Sequence, residues 1–122
     1  MTHSADPIVL IVEDEALIRT LAVEAFSEEG FLVLEAEHAA GALLIVADGP
    51  EIHVLFTDVN MPGEMNGIDL AEQLKATAPG LLVFITSALP IDRPVDHIPA
   101  TFVSKPYDAG TVSRAAKALL AA

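Results

Sequence analysis

Short apolar runs of strand length recur along the chain. They occupy residues 8–12, 31–34, 54–57, 81–86 and 101–104. Most of these runs are apolar at neighbouring as well as alternate positions, which is typical of strands buried on both faces of a parallel sheet. The pattern therefore predicts five parallel strands.

Apolar residues with helical spacing lie between these runs. In the first interval they recur every three or four residues, at Ile18, Leu21, Ala22, Ala25 and Phe26. Gly30 follows as a helix stop. Similar patterns predict helices near residues 37–47, 68–78 and 112–120, and Asp108 is predicted to cap the last of them. The alternation predicts an α/β fold with right-handed crossovers and helices on both faces of the sheet.

The interval between the fourth and fifth strands departs from this alternation. Residues 88–99 contain Pro90, Pro94 and Pro99. A proline inside a helix costs about 3 kcal/mol or more, because it lacks an amide donor and clashes with the preceding turn. We therefore expect a loop with at most a short turn in this interval.

The composition limits the class of protein. A length of 122 residues allows one domain, with a predicted core over residues 8–120, and the 52% of hydrophobic residues are enough for a packed core. Acidic residues outnumber basic residues by 18 to 6, which argues against direct binding to nucleic acid or an anionic membrane. The absence of cysteine excludes thiol nucleophiles and cysteine-ligated metals. With no leader-like or membrane-spanning run, we expect a soluble, cytoplasmic protein.

Polar residues follow the ends of all five apolar runs, and Glu35, after the second and predicted edge strand, is the least distinctive of them. Glu13 and Asp14 follow the first run, and Asp58 follows the third. Ser87 comes after the fourth, and Lys105 follows the fifth. Taken alone, each has an ordinary structural explanation, such as a helix cap, a turn or a solvated charge. Because ligands bind beyond the carboxyl ends of strands in such sheets, we expect these side chains to meet in one site.

This combination of side chains predicts phosphoryl-transfer chemistry. Three neighbouring carboxylates repel one another unless a cation lies among them, and oxygen ligands suit Mg²⁺. A carboxylate beside bound Mg²⁺ can accept a phosphoryl group and form an acyl phosphate. A lysine and a hydroxyl can then interact with the oxygens of the transferred group.

Five short motifs, in order, extend over nearly the whole chain. They are Ile-Val-Glu-Asp-Glu at 11–15, Thr-Asp-Val-Asn-Met-Pro-Gly at 57–63, Asn-Gly at 66–67, Thr-Ser-Ala at 86–88 and Phe-Val-Ser-Lys-Pro-Tyr at 102–107. With these motifs the chain resembles the receiver domain of bacterial two-component response regulators, the CheY-like family. The resemblance implies a single receiver domain over residues 1–122, with a flavodoxin-like, doubly wound, five-stranded parallel sheet in the order 2-1-3-4-5.

The resemblance also implies a role for each residue of the site. Asp58 is then the phosphoacceptor, and Lys105, whose peptide bond to Pro106 is usually cis in the family, contacts the phosphoryl group. Asp14 ligates Mg²⁺ directly, and Glu13 acts largely through a water molecule. The backbone carbonyl of Asn60 is a further ligand.

Two more residues are implied to form a conformational switch. Ser87 supplies the switch hydroxyl, because the family follows this residue with a small one and Ala88 fits. Thr86 is the next candidate. Phe102, three residues before Lys105, takes the position of the aromatic residue that swings inward on activation.

Partners follow from the same resemblance. A sensor histidine kinase or histidine phosphotransfer protein donates the phosphoryl group, and an unidentified downstream protein is regulated. The chain performs only its own phosphotransfer and slow autodephosphorylation, so we do not expect an enzyme. Met1 favours a stand-alone regulator or relay intermediate over an excised domain.

The chain departs from the family pattern in two places. The loop between Asp58 and Asn66 contains one extra residue. The interval between Ser87 and Lys105 is shorter than usual and rich in proline. We expect the crossover helix of that interval to be short or absent, and the dimer face that it normally builds to be weakened.

Two other functions fit parts of the sequence. Haloacid-dehalogenase-like phosphatases also combine an Asp nucleophile with Mg²⁺ on a parallel sheet. They normally place the nucleophile after the first strand with a second Asp two residues on, and here Ala16 stands at that position. A phosphorylation-independent interaction module is the other alternative, and the complete set of site residues argues against it.

Overall fold

Helices and strands alternate along residues 6–61, 63–88 and 99–121, which the structure, a computed structural model, describes. In chain order they are β1 (Ile8–Val12), α1 (Ala16–Glu28), β2 (Leu32–Ala36), α2 (Ala39–Ala47), β3 (Val54–Asp58), α3 (Gly67–Thr77), β4 (Leu82–Ser87), β5 (Thr101–Ser104) and α4 (Ala109–Ala121). All neighbouring strands are parallel, and their order is β2-β1-β3-β4-β5. The predicted fold class and strand order are confirmed.

The register of the sheet aligns the carboxyl ends of the strands. Val12 of β1 lies opposite Thr57 of β3, and Asp58 at the end of β3 lies opposite Thr86 of β4. Residues that follow directly after β1, β3 and β5 therefore emerge at one edge of the sheet.

Two hydrophobic clusters cover the two faces of the sheet. Alternate residues of β1 point to opposite faces, so that Leu10 belongs to a cluster with α2 and α3, and Ile11 to a cluster with α1 and α4. The second cluster contains aromatic side chains in contact with one another, with the tilted rings of Phe26 and Phe56 5.6 Å apart. Burial on both faces explains why the central strands are apolar at neighbouring as well as alternate positions until they reach the polar residues at their carboxyl ends.

The hydrophobic pattern shifted β4 by one residue, from the predicted 81–86 to Leu82–Ser87, and misplaced both ends of the edge strand β2. The predicted strand covered residues 31–34, whereas β2 runs Leu32–Ala36. Phe31 instead packs against Phe26, with ring centroids 5.1 Å apart. Glu35 continues the strand opposite Ile11, because an edge strand can expose a charged side chain while its backbone still pairs on one side.

Side chains cap three of the helices. The carboxylate of Asp108 accepts a hydrogen bond from the Thr111 amide at 3.1 Å, which confirms its predicted capping role at α4. His38 accepts from the Gly41 amide at the start of α2, so this helix begins later than the predicted residue 37. Asn66 forms a reciprocal capping box with Asp69 at α3.

The predicted proline-rich loop falls outside the described residues for most of its length. Residues 89–98 separate Ala88 from Pro99, where the description resumes. The expectation of a short or absent helix there stays a prediction. Among the described residues, no helix has both the length and the apolar character needed to cross a membrane.

Candidate functional site

Three carboxylates converge at the edge where β1 and β3 end. Glu13 and Asp14 follow β1 directly, and Asp58 is the last residue of β3. One carboxylate oxygen from each of them lies within 4.8 Å of the other two. Glu13 and Asp58 are only 4% and 6% exposed, whereas Asp14 is exposed at the rim. The site therefore has a buried acidic floor that opens to solvent beside Asp14.

Lys105 neutralises part of this charge. Its Nζ lies 2.9 Å from Oδ2 of Asp58 and 3.1 Å from Oε1 of Glu13. Burial alone would lower the pKa of the Lys105 ammonium, but its hydrogen bonds and charge interactions with the two carboxylates outweigh burial and raise that pKa. The peptide bond to Pro106 is cis, as the family resemblance implied.

Both carboxylate oxygens of Glu13 accept hydrogen bonds. Oε1 accepts from Lys105, and Oε2 accepts from the backbone amide of Glu15 at 3.0 Å. Burial raises the pKa of the Glu13 carboxyl, and the two hydrogen bonds oppose this effect. The side chain is therefore held in one orientation at the floor of the site.

The loop after Asp58 approaches α3 closely. Oδ1 of Asp58 accepts from the Asn60 amide at 3.3 Å, and the Gly67 amide donates to the carbonyl of Val59 at 2.9 Å. A Cβ atom at Gly67 would lie 2.0 Å from the backbone oxygen of Asp58. Only glycine lets the start of α3 lie this close to Asp58.

The proposed switch residues lie on the neighbouring strands β4 and β5. Ser87 is the half-buried last residue of β4, and its carbonyl accepts from the Lys105 amide at 3.0 Å. Phe102 lies in β5 opposite Ile85, and it is 40% exposed. The structure thus joins Ser87 to the strand end that carries Lys105 and places Phe102 away from the carboxylates.

Two residues that sequence reasoning did not select also interact with the site. Nη1 of Arg19 donates to the backbone carbonyl of Glu13 at 2.8 Å. The ring of Tyr107 packs against Phe56 at 5.4 Å, and burial, followed by the nearby charge of Glu13, raises the pKa of its hydroxyl to about 12. Only 6 of the 24 charged residues are basic, and this scarcity was a signal that each basic residue, Arg19 included, has a specific role.

The donor set fits a magnesium ion. The cluster offers hard oxygen ligands, and three formal negative charges face one ammonium, so negative charge is left over for a cation. Mg²⁺ prefers carboxylate oxygens together with water molecules and phosphate oxygens. The exposed position of Asp14 leaves room for such additional ligands.

Comparison with known proteins identifies the family. The profile of the response regulator receiver domain matches residues 9–117. Sensor kinase CckA of Brucella abortus is 32% identical over 96% of this chain, and aerobic respiration control protein ArcA of Escherichia coli K12 is 32% identical over 93%. The chain belongs to the response regulator receiver domain family.

Solved structures agree with this assignment. The receiver domain of the hybrid histidine kinase CckA is 30% identical, with a TM-score of 0.77 over 93% of this chain and 98% of the other. A receiver protein from Sinorhizobium medicae WSM419 shares the fold, with a TM-score of 0.85 over 98% of each chain at 20% identity. The chain spans 13% of the CckA sequence and 48% of ArcA, so the likeness concerns their receiver portions.

Family membership establishes the general mode of action. The domain is a phosphorylation-activated signalling switch. Receiver domains accept phosphoryl groups from histidine kinases or phosphotransfer proteins, and they bind Mg²⁺ at an acidic pocket. They are in general switches rather than enzymes that turn over a separate substrate.

Proposed function

We propose that Asp58 is the phosphoacceptor of this chain. The observation that carries the assignment is the contact between its buried carboxylate and the ammonium of Lys105, within the cluster formed with Glu13 and Asp14. Asp58 is the member of the cluster that ends a central, fully buried strand, so the strand fixes its backbone position. A fixed nucleophile favours in-line attack on phosphorus.

The bond changes of the proposed reaction involve Asp58 and the phosphoryl donor. A carboxylate oxygen of Asp58 forms a bond to phosphorus while the bond between phosphorus and the donor imidazole nitrogen breaks. The electron pair of that bond stays on the imidazole, and an acyl phosphate forms. Lys105, already beside Asp58, offsets negative charge on the phosphoryl oxygens as they approach.

We infer that Asp14, Asp58 and the backbone carbonyl of Asn60 hold Mg²⁺ directly. Both oxygens of Glu13 are engaged with Lys105 and the Glu15 amide, which supports a contribution from Glu13 through water. When bound, Mg²⁺ supplies positive charge that the phosphoryl oxygens need.

The switch is proposed to act through Ser87 and Phe102. Ser87 ends β4, and its carbonyl accepts from the Lys105 amide, which supports a contact between its hydroxyl and a phosphoryl group on Asp58. Such a contact exists only after phosphorylation, and only contacts that differ between two states shift their populations. The exposed Phe102 in β5 is the side chain that can become buried in response.

The donor is proposed to be a histidine kinase or phosphotransfer protein, acting in the cytoplasm on a chain that regulates a further protein. Direct binding to nucleic acid or an anionic membrane is not expected. Acidic residues outnumber basic residues by 18 to 6, and the ammonium of Lys105 at the site is held by the carboxylates of Asp58 and Glu13. Anionic polymers require available cations.

Intact-mass spectrometry after incubation with Mg²⁺ and a small acyl phosphate tests the assignment. The wild-type chain should gain the mass of one phosphoryl group, and Asp58→Asn should not. Asp108→Asn, which changes an exposed carboxylate outside the cluster, should gain the same mass as the wild type. Full mass gain in Asp58→Asn would show that another residue accepts the group. Multiple turnover of a phosphomonoester would instead identify a phosphatase.

A further inference from the structure

One guanidinium group connects three separate parts of the chain. Nη1 of Arg19, on α1, donates to the backbone carbonyl of Glu13 at 2.8 Å, and Nε donates to Oε1 of Glu35 at 3.0 Å. Glu35 lies near the carboxyl end of β2, and Glu13 begins the loop between β1 and α1. The Arg19 side chain is only 16% exposed, whereas that of Glu35 is 51% exposed. Arg19 is therefore fixed between the acidic loop and the edge of the sheet.

The carbonyl that Arg19 binds is the backbone carbonyl of Glu13, a member of the carboxylate cluster. The amide of Glu13 donates to the carbonyl of Ala36 at 3.1 Å, and the Glu15 amide donates to the Glu13 side chain. Asp14 lies between these two restrained residues. The direction of its exposed carboxylate therefore depends on the backbone of residues 13–15, and Arg19 holds the Glu13 carbonyl of this segment.

The positive charge of Arg19 cannot attract a cation to the neighbouring carboxylates. A guanidinium close to bound Mg²⁺ repels it, so its charge alone disfavours metal binding. What Arg19 adds is geometry, because a planar fork can donate in two fixed directions at once, and a lysine ammonium has no such fork.

We propose that Arg19, supported by Glu35, is a positioning residue for the magnesium site: it holds the Glu13 backbone so that Glu13 and Asp14 present their carboxylates correctly. The inference rests on the proposed assignment of Mg²⁺ to this cluster. It extends the site to the tip of β2, whose residues do not themselves join the carboxylates.

The two explanations of Arg19 predict opposite changes in Mg²⁺ affinity. If only its charge mattered, Arg19→Gln would bind Mg²⁺ more tightly than the wild type. If it positions the loop, Arg19→Gln binds about tenfold more weakly, the lower end of the range found when partners of metal ligands are removed. Arg19→Lys keeps the charge but loses the fork, so it is expected to weaken binding as well.

Calorimetric titration of the unphosphorylated full chain with MgCl₂, at constant ionic strength, measures these affinities. Arg114→Gln is the matched control, because it removes an equal charge from a 62% exposed side chain on α4. Its dissociation constant should stay near that of the wild type. Glu35→Ala should weaken binding in the wild-type background and have no further effect in Arg19→Gln, since Glu35 acts through Arg19.

Equal or tighter binding by Arg19→Gln, or wild-type binding by Arg19→Lys, would overturn the proposal. If circular dichroism shows that Arg19→Gln does not fold, Arg19→Lys decides the matter alone. If the effects of Arg19→Gln and Glu35→Ala on Mg²⁺ affinity were additive, Glu35 would act independently of Arg19 through its charge. The proposed support of Arg19 by Glu35 would then be wrong. A wild-type chain that does not bind Mg²⁺ would instead overturn the metal assignment itself.

Discussion

The Nζ atom of Lys105 lies 2.9 Å from Oδ2 of Asp58, although 47 positions separate the two residues in the chain. The contact exists because β3 and β5 both flank β4 in a parallel sheet, so that residues at their carboxyl ends emerge on the same side. The same lysine reaches Glu13 beyond β1, 92 positions away. One ammonium thus links three strand ends.

Replacing Lys105 by Met should destabilise the domain, since two buried carboxylates lose their counter-ion. Loss of one partner of a fully buried ion pair costs about 3–5 kcal/mol, and we expect about 2 kcal/mol here because the site opens to solvent. Added Mg²⁺ should restore much of this loss. Urea unfolding with and without Mg²⁺ measures both effects.

Lys117→Met is the control for this experiment. Lys117 is an exposed lysine on α4, and its ammonium donates to the backbone carbonyl of Glu29 rather than to a carboxylate of the cluster. Its Mg²⁺ response should equal that of the wild type. If Lys105→Met were as stable as the wild type without Mg²⁺, the lysine would not be the counter-ion of the site.

Magnesium should raise the melting temperature of the wild-type chain. A ligand bound only by the native state stabilises it by about 2.7 kcal/mol at a hundredfold excess over its dissociation constant. Asp14→Ala should abolish most of this gain, whereas Glu24→Ala, an exposed carboxylate on α1, should keep it. Thermal unfolding over a series of Mg²⁺ concentrations provides the measurement, and an undiminished gain in Asp14→Ala would refute its role as a ligand.

Gly67→Ala should displace the backbone of Asp58, the proposed phosphoacceptor. The new Cβ would meet the backbone oxygen of Asp58 at 2.0 Å, so the loop or α3 must shift, at a cost of about 1–3 kcal/mol or more. Both the free energy of unfolding and the rate of acyl phosphate formation should fall. Gly80→Ala, which meets no atom within 4 Å, should change neither by a comparable amount. Normal phosphorylation of Gly67→Ala would show that this close approach is not needed.

The cap of α4 should contribute to the acid sensitivity of the fold. Its hydrogen bonds with Thr111 lower the pKa of Asp108 below its usual value. Such a carboxylate stabilises the fold above its unfolded-state pKa, and this contribution is lost as the pH falls through the lower, folded-state value. The stability difference between the wild type and Asp108→Asn should therefore shrink below about pH 4.

Urea unfolding of both chains at about pH 7 and about pH 3 tests this expectation. The asparagine keeps a side-chain acceptor but cannot titrate, which makes it the appropriate comparison. An equal difference at both pH values would show that Asp108 does not contribute to the pH dependence.

Ser87→Ala should separate phosphorylation from its conformational effect. The acyl phosphate on Asp58 should still form, because Ser87 is not the nucleophile, but amide shifts in β4 and β5 on phosphorylation should diminish. Nuclear magnetic resonance spectra of both chains with and without the phosphodonor would show this. A full response in Ser87→Ala would move the switch to another hydroxyl, with Thr86 the next candidate.

The central strands and the main site residues could be predicted from local sequence. β1 and β3 are buried on both faces, so unbroken apolar runs mark them. Parallel pairing then requires that Asp58, at the end of β3, and Lys105, directly after β5, share one edge of the sheet. The ends of β2 were harder to place: Phe31 was predicted inside the strand and Glu35 and Ala36 outside it, because an edge strand mixes exposed and half-buried positions.

Tertiary structure alone decided how the site is supported. Arg19 reads as an ordinary polar position on a helix, and its role appears only when α1 packs beside the end of β2 and the carbonyl of Glu13 comes within reach. The need for glycine at position 67 arises from the approach of α3 to Asp58, although Gly67 has no positive φ angle that would require it. Sequence periodicity records which residues are buried, whereas distances between elements far apart in the chain depend on how those elements pack.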